Sequence, residues 1–422
     1  MTAGFSAWVG ELPKDWRCEW LKWSVQLSTE RPSEEEQERL PYIANEDIES
    51  WTGKLLKDDP QPAESDGRKF AVDDVLFNKL RPYLAKVYHA QFDGVSSGEL
   101  LCLRPSGDVL PKYLFYVLVS RGFIDTVDAE TFGSKMPRAD WDVVGHQPLP
   151  LPPLDTQQRI ARFLDDKTAR IDALIAKKRA LLERLAEKRQ ALITRAVTKG
   201  LNPAVSMKSS GIDWLGEIPA HWEVFPVKRV AELQSGHTPD RKIDTYWEDC
   251  EIPWVSLNDT AALRDNDYIS DTAIKINELG LANSSARMLP ARAVVFTRDA
   301  TIGESAITTK PMAVSQHIIA WLCDEARVIP EFLLFAIYGM KGELLRLTNG
   351  STFGTIGLSD VKSISVALPP VDEQTKIVAD VFSKKQIISD GETRVRASID
   401  KLSEYRAALI TAAVTGQIAE LH

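Results

Sequence analysis

Three groups of residues in this chain have types that could carry chemistry, and each stops short of the spacing that chemistry needs. Ser351-Thr-Phe-Gly-Thr-Ile-Gly357 sets two glycines among hydroxyl side chains. A segment of that kind can aim backbone N–H groups at a phosphate. A polar helix end precedes it where a strand is required, and neither GxxxxGK(S/T) nor GxGxxG occurs, so a turn is expected there. Pro239-Asp240 followed by further acids opens like a metal-dependent nuclease site, but no Glu-x-Lys follows. The six histidines are scattered, and Cys18, Cys102, Cys250 and Cys323 form no CxxC pair, so no metal site is expected. An HExxH helix and a GxSxG elbow are both missing. So is the Asn/Asp-Pro-Pro-aromatic run with which amino-methyltransferases hold adenine. The sequence therefore predicts no catalytic residue, no metal and no cofactor on this chain.

The elements that would position any site come next. A length of 422 residues predicts two or three domains, and 44% hydrophobic with 26% charged residues fits a soluble globular protein. The best apolar run, Tyr113 to Val119, is far short of a membrane span, and Met1 to Gly10 lacks a secretory pattern. A reduced, cytoplasmic chain is expected. The net charge of -9 argues against a free-standing nucleic-acid binder. The charge is uneven, however. Residues 1–150 are net -8, residues 201–367 net -6 and residues 368–422 net -1, whereas residues 151–200 hold 12 basic and 6 acidic side chains. A solvated Lys/Arg-rich helix is the simplest account of that segment.

The chain is an internal duplication. Trp8-Val-Gly-Glu-Leu-Pro-Lys-Asp-Trp16 returns as Trp214-Leu-Gly-Glu-Ile-Pro-Ala-His-Trp222. Leu151-Pro-Pro-Leu-Asp-Thr-Gln157 returns as Leu368-Pro-Pro-Val-Asp-Glu-Gln374, and residues 151–200 match 368–417 at 20 of 50 positions without a gap. Between these ends the copies diverge but keep an outline. Val75-Leu-Phe77 aligns with Val294-Val-Phe296, Pro111-Lys-Tyr-Leu114 with Pro330-Glu-Phe-Leu333, and Gly133-Ser134 with Gly350-Ser351. Four segments follow: a body at 1–150 with its leader at 1–16, a long helix within 151–200, a second body at 201–367 with its leader at 206–222, and a second helix within 368–422.

Each helix should start after its Pro-Pro pair, capped by Asp155 or Thr156 and by Asp372. A heptad frame starting at Ile171 predicts a seam of Ile171, Leu174, Leu181, Leu185 and Leu192, with Ile388, Val395, Leu402 and Leu409 in the second copy. Lys178, Lys188 and Gly391 interrupt it, so the two helices should pair with each other and need a further partner. About 40 helical residues span roughly 60 Å. The bodies read as mixed α/β. Strands are expected at Phe70–Phe77, Leu100–Leu103, Ile252–Leu257, Val294–Phe296 and Ile318–Leu322, and helices at Pro111–Phe123 and Pro330–Leu347. Asp58 to Gly67 should be an exposed loop.

Two dissimilar bodies on two near-identical helices resemble the specificity subunit of type I DNA restriction–modification enzymes, and the likeness covers nearly the whole chain. The leaders at 8–16 and 214–222 and the Leu-Pro-Pro-x-x-x-Gln segments carry it. So do Ser235-Gly-His-Thr-Pro239, Ile252-Pro-Trp-Val255, Arg298-Asp-Ala-Thr-Ile-Gly303, Asp47-Ile-Glu-Ser-Trp-Thr-Gly53 and Leu76-Phe-Asn-Lys-Leu-Arg-Pro-Tyr-Leu-Ala-Lys86. The resemblance implies a mixed α/β fold, with two pseudo-symmetric target recognition domains joined by two long antiparallel coiled-coil-like helices. It implies that each body reads half of a bipartite, asymmetric double-stranded DNA target. The helices would set the half-site spacing and dock two methyltransferase subunits, and nuclease/translocase subunits would complete the complex. S-adenosylmethionine, ATP and magnesium would belong to those partners. Pseudo-symmetry also predicts that the leader at 1–16 lies beside the end of the second helix, near Thr415.

Base reading favours Arg, Lys, Asn, Gln, Ser and Thr on loops. Under this resemblance the DNA-binding candidates are Lys79, Arg81, Ser134, Lys135 and Arg138 in the first body. In the second they are His237, Thr238, Arg241, Lys242, Asn258, Arg298, Ser351 and Thr352. Gly133 and Gly350 would admit a phosphate close to the backbone. Trp8, Trp16, Trp214 and Trp222 are expected to pack leader against helix. Basic residues of the first helix, such as Arg159, Arg170 and Lys177, would face DNA, a partner or solvent. Two readings compete: a scaffold with duplicated domains that bind something other than DNA, and an enzyme with an unrecognised site.

Overall fold

In a computed structural model the chain divides into two compact units, residues 1–179 with 396–422, and residues 180–395. The structure describes residues 8–62, 67–133, 135–348 and 354–421. Both unit boundaries fall inside long helices, Leu154–Lys199 and Val371–Val414. Each unit thus holds one body, the start of one helix and the end of the other.

The first body is built on an antiparallel sheet in the order Val25–Ser28, Leu100–Pro105, Val75–Asn78, Val87–His89. Beside it lies a three-stranded sheet in which Gly94–Ser97 pairs parallel with Tyr42–Ile43 and antiparallel with Gly67–Phe70. The second body repeats both. Ala231–Ser235, Ile318–Cys323, Val294–Thr297 and Ser305–Thr308 run in the same antiparallel order, and Tyr268–Ile269 adds a parallel edge. Met312–Val314 pairs parallel with Ile252–Val255 and antiparallel with Met288–Leu289. Duplication therefore extends through the bodies, whose sheet order survives where their sequences have diverged.

A smaller ladder closes each body. Arg17–Trp20 pairs antiparallel with Pro148–Leu151 in the first unit, and Glu223–Pro226 with Ser365–Leu368 in the second. The strand leads straight into the long helix through Pro-Pro. The Gln of the shared motif explains why that junction is kept. Gln157 is fully buried and donates Nε2–H to Pro152 O (2.9 Å) and Asp108 O (2.8 Å), while its Oε1 accepts from Leu110 N (2.8 Å). Gln374 makes the same three bonds to Pro369 O, Arg327 O and Ile329 N. Each amide ties a helix start to the loop before the Pro-initiated helix of its body.

Several local expectations change. The helices begin at Leu154 and Val371, so Asp155, Thr156 and Asp372 lie in the first turn and do not cap it. There the carboxylates still face the positive end of the helix. The strand expected over Phe70–Phe77 is two strands, because Asp73 turns the chain with φ 72. The helix expected over Pro111–Phe123 breaks at Val119–Ser120 into Pro111–Leu118 and Arg121–Ala129, and Ser120 Oγ donates back to Val117 O. Pro330–Leu347 likewise divides into Pro330–Gly339 and Lys341–Arg346. In the loop from Asp58, only residues 58–62 fall among the described residues.

The heptad seam is corrected too. Ile171 and Ile388 are buried, and Leu185, Leu192, Val395, Leu402 and Leu409 are half-buried, but Leu174 and Leu181 are 47% and 43% exposed. The shielded stripe runs through Ile171, Ile175, Lys178, Leu182, Leu185, Arg189, Leu192 and Ala196. The steps alternate four and three residues, so the heptad period holds, but Ile171 shares the stripe with Ile175 and not with Leu174. In the first unit Arg406 donates to Asp172 Oδ1 (2.9 Å), and Ile160 and Leu164 share a core with Ile410, Ala413 and Val414. In the second unit Arg189 pairs with Glu392 (3.3 Å), and Ala196 and Val197 share a core with Ile377 and Val381. The helical segments are antiparallel within each unit.

The leaders sit against helix ends. Trp16 is buried with Ile410, Ala413 and Val414, and Trp8 packs on that cluster. Trp222 is fully buried with Ala196, Val197 and Ile377, donates Nε1–H to Glu373 (3.2 Å), and Trp214 packs beside it. The first leader thus meets the end of the second helix, and the second leader the end of the first.

Candidate nucleic-acid interface

In the first body the strand Val75–Asn78 ends in a buried Asn78. Its amide donates to Leu80 O (2.6 Å) and accepts from Leu80 N (3.2 Å), folding Lys79–Arg81 into a tight loop. Arg81 takes the left-handed conformation (φ 52, ψ 65), uncommon for a side chain of its size. Backbone bonds hold it: Arg81 N donates to Pro137 O (2.7 Å), Ala139 N to Lys79 O (3.0 Å) and Lys79 N to Glu99 O (3.0 Å). Phe132 and Arg138 exchange N–H···O bonds of 3.1 and 3.0 Å, closing a hairpin in which Gly133 has φ 90. The need for glycine at Gly133 is therefore met by its own backbone turn. Three loops, 79–81, 97–99 and the described residues of 132–138, form one cluster. It brings together Lys79, Arg81, Gly133, Lys135 and Arg138, with Phe132 and Met136 exposed beside them. Arg138 Nη2 donates to Glu99 Oε1 at 2.9 Å. Glu99 Oε2 is buried without a partner among the described residues.

The second body builds the same frame from different side chains. Arg298 N donates to His317 O (3.0 Å), Ile356 N to Arg298 O (2.9 Å) and Ala300 N to Gly354 O (3.0 Å), and Ala300 again has positive φ (62). Position by position, Arg298 stands for Lys79, Ala300 for Arg81, His317 for Glu99 and Thr355 for Arg138. The bridge Leu80–Arg138 becomes Asp299–Thr355. Asp299 accepts from Thr355 Oγ1 through Oδ1 and meets His317 Nδ1 through Oδ2 at 2.6 Å. In the neutral imidazole a carboxylate opposite Nδ1 favours the proton there, which leaves Nε2 to accept from Gln316 Nε2 at 3.1 Å. Thr238 Oγ1 donates to Gln316 Oε1 at 2.6 Å. Five side chains from four segments thus form one chain of hydrogen bonds. Thr238 reaches it because a Cβ on Gly236 would stand 1.6 Å from Val314 O, so only glycine lets the strand end pass. His237 is exposed in the same loop, and its carbonyl accepts from Trp254 Nε1 (3.2 Å).

The structure thus joins His237, Thr238 and Arg298. Arg241 and Lys242 are exposed farther along the same loop, where Asn277 holds the carbonyls of Thr245 and Glu248. Asn258 is exposed on the turn Leu257–Asp259 and bonds Ser256. Among the described residues none of these three bonds to the cluster. Ser134, Gly350, Ser351 and Thr352 lie outside the described residues. The described end of the glycine-bearing segment is extended where Thr355 bridges Asp299, and Gly357 precedes the helix Leu358–Ser363. Sequence reasoning missed Glu99, Asp299, Gln316, His317 and Thr355. The offset that aligns Val75–Phe77 with Val294–Phe296 also pairs Lys79 with Arg298, and following that pair outward would have found them.

No thiol is poised as a nucleophile. Burial raises Cys18 and Cys102 to about 11 and Cys323 to about 12, and also raises Cys250. Among the described residues no three His, Cys, Asp or Glu side chains group to hold a metal, and no helix is long and apolar enough to cross a membrane.

Fold and site together define a duplicated recognition protein, with one loop-borne polar cluster per body. The profile of the family described as type I restriction modification DNA specificity domain matches residues 33–184 and again 219–390. The chain belongs to this family, whose named relatives are specificity subunits, and it is a non-catalytic member. It is 30% identical over 191 residues to the type I restriction enzyme MjaIX specificity subunit of Methanocaldococcus jannaschii, covering 45% of this chain and 43% of that one. It is 23% identical over 430 residues to the putative MjaX specificity subunit of that organism, covering 97% and 95%. The HindI specificity subunit of Haemophilus influenzae is 23% identical over 426 residues, covering 86% and 90%. The chain therefore matches less than half the length of the first relative and nearly all of the other two. Among solved structures, one from a study of complex assembly and conformational transition of the type I R-M system superposes with TM-score 0.76 at 20% identity, covering 97% and 100%. The HsdS subunit of Thermoanaerobacter tengcongensis gives 0.54 at 19% identity, covering 97% and 98%. These two likenesses show the fold.

Proposed function

We propose that this chain directs a type I restriction–modification complex to its DNA, each three-loop cluster reading one half of a bipartite double-stranded target. The two helices set the separation of the halves and dock two methyltransferase subunits. Nuclease/translocase subunits complete the assembly, and S-adenosylmethionine, ATP and magnesium are bound by these partners. One observation carries the reading: both bodies hold the same backbone frame of loops but fill it with different polar side chains. Two catalytic sites of one enzyme would share their side chains, whereas two readers of different sequences share only the frame. An acidic chain suits this role if partners supply much of the phosphate clamp, since phosphate contacts give affinity and base contacts give specificity.

The test is co-expression with the neighbouring methyltransferase in a host lacking adenine methylation, followed by genome-wide mapping of N6-methyladenine. A split motif, two short defined halves around an unspecified spacer, is expected, and exchanging residues 17–147 should change one half only. A stable complex that methylates nothing, or at unsplit sites, would overturn the proposal. Failure to form any complex would favour a scaffold that binds something other than DNA.

A further inference from the structure

The two clusters share a frame but not a chemistry, and we infer that this difference sets the base pair each one takes. The Glu99–Arg138 pair of the first body reads a G·C pair. Gln316 of the second body, held by Thr238 and His317, reads the adenine of an A·T pair. The inference rests on the DNA-reading function proposed above and adds base identity to it.

The major-groove edge of G·C shows two acceptors on guanine, N7 and O6, and one donor on cytosine, N4. Its complement is two donors beside one acceptor. Arg138 offers the two donors, because Glu99 holds it through one atom alone, Nη2 to Oε1. Among the described residues the remaining guanidinium nitrogens and Glu99 Oε2 have no partner. The ion pair orients the fork and leaves donors for guanine, while Glu99 Oε2 is buried and stays within the cluster. On an A·T pair the second donor of the fork would meet the adenine amino group, itself a donor. That mismatch leaves a desolvated polar group unpaired.

The second body carries no such charge pair at these positions. An amide offers one acceptor and one donor side by side, the complement of adenine N6–H and N7. Gln316 is exposed, and each of its polar atoms has one bond used, Oε1 by Thr238 and Nε2 by His317. One lone pair and one N–H remain on the amide. Its orientation is fixed by chemistry. In the neutral imidazole Asp299 holds the proton on Nδ1, so Nε2 accepts, and a flipped amide would set an oxygen against that lone pair. An amide that cannot flip discriminates adenine from guanine, whose edge offers two acceptors. His317 and Asp299 are positioning residues for Gln316 and do not themselves meet the base.

The test uses the whole complex and the methylation map, with single substitutions. Arg138→Ala and Glu99→Gln should relax one G·C position in the half read by the first body, by about ten- to a hundredfold in preference, and leave the other half unchanged. Gln316→Ala should relax one A·T position in the other half. His317→Ala should relax that same position, whereas a merely structural loss would lower methylation at every site alike. Arg138→Lys keeps the charge without the fork, and serves if the alanine variant does not assemble. A split motif whose relaxed positions are A·T in the first half or G·C in the second overturns the inference and leaves the proposed function standing. Uniform loss across all sites does the same. Absence of any split motif with the unsubstituted chain removes the proposed function, and the inference with it.

Discussion

Replacing Gln157 by leucine tests whether the shared Leu-Pro-Pro-x-x-x-Gln motif is a clamp. The substitution removes three hydrogen bonds of 2.8, 2.8 and 2.9 Å. It strands Leu110 N, Asp108 O and Pro152 O. A buried polar group without a partner costs about 1–3 kcal/mol. The Pro152 carbonyl is enclosed with the amide and bears most of that cost, while the other two are partly shielded and regain bonds to water. The net loss is about 2–4 kcal/mol, which lowers the melting temperature of a domain this size by roughly 5–15 °C. Calorimetry of the full chain measures the shift, and hydrogen exchange locates it. Leu110 N should lose protection while Ile329 N, the equivalent amide under Gln374, keeps it. Gln374→Leu should give the reverse pattern. Gln157→Glu should be worse than leucine, since it turns a carboxylate oxygen toward two carbonyls. A Gln157→Leu chain that melts within 1 °C of the parent, with Leu110 N still protected, would refute the clamp.

Three further outcomes are expected. Gly236→Ala drives a Cβ into Val314 O, so the Thr238–Gln316 bond should break, and the methylation map should relax in the second half only. Arg406→Leu leaves Asp172 with Lys54 alone and Trp51 O without its donor, and should cost about 3 kcal/mol in urea unfolding. Burial holds the His89 imidazole below its ordinary pKa, with the Asp73 carboxylate opposing in part. The folded chain therefore binds fewer protons than the unfolded one, and stability should fall as pH drops through about 6.5 toward the folded value. Comparing urea midpoints at about pH 7.5 and 5.5, His89→Gln should flatten that fall, and an unchanged slope would contradict it.

Legibility followed the kind of force at each place. The helices and leaders were readable because side-chain packing builds them. Trp16, Trp222, Gln157 and Gln374 touch what their spacing implies, and the repeat exposes them. The seam was misread because the frame paired Ile171 with Leu174, three residues on, whereas the shielded stripe pairs it with Ile175, which leaves Leu174 and Leu181 outside. Helix breaks at Ser120 and Met340 were hidden, since apolar residues recur at helical spacing on either side, Val119 to Phe123 and Met340 to Leu344. In the clusters, residue type found Lys79, Arg138, Thr238 and Arg298. It passed over Glu99 and Asp299, because the choice of residue types excluded carboxylates and their partners lie far along the chain. Pairing across sheet order brings Glu99 to Arg138 and Asp299 to His317, and no local pattern announces it.

The same division explains how the two copies diverged. Every bond that the two loop frames share is backbone to backbone: Lys79 N to Glu99 O and Arg298 N to His317 O, Arg81 N to Pro137 O and Ala300 N to Gly354 O. Such bonds are indifferent to the side chains they carry. A substitution at 79, 81, 99 or 138 therefore changes what the cluster presents without unfastening the loops, provided the left-handed position at Arg81 or Ala300 accepts the new residue. The helices have no such freedom. Their contacts are made by side chains in close packing, where even one methylene is felt. Divergence in the bodies alongside 20 identities in 50 positions on the helix segments is the result expected when one part is held by side-chain packing and the other by backbone bonds.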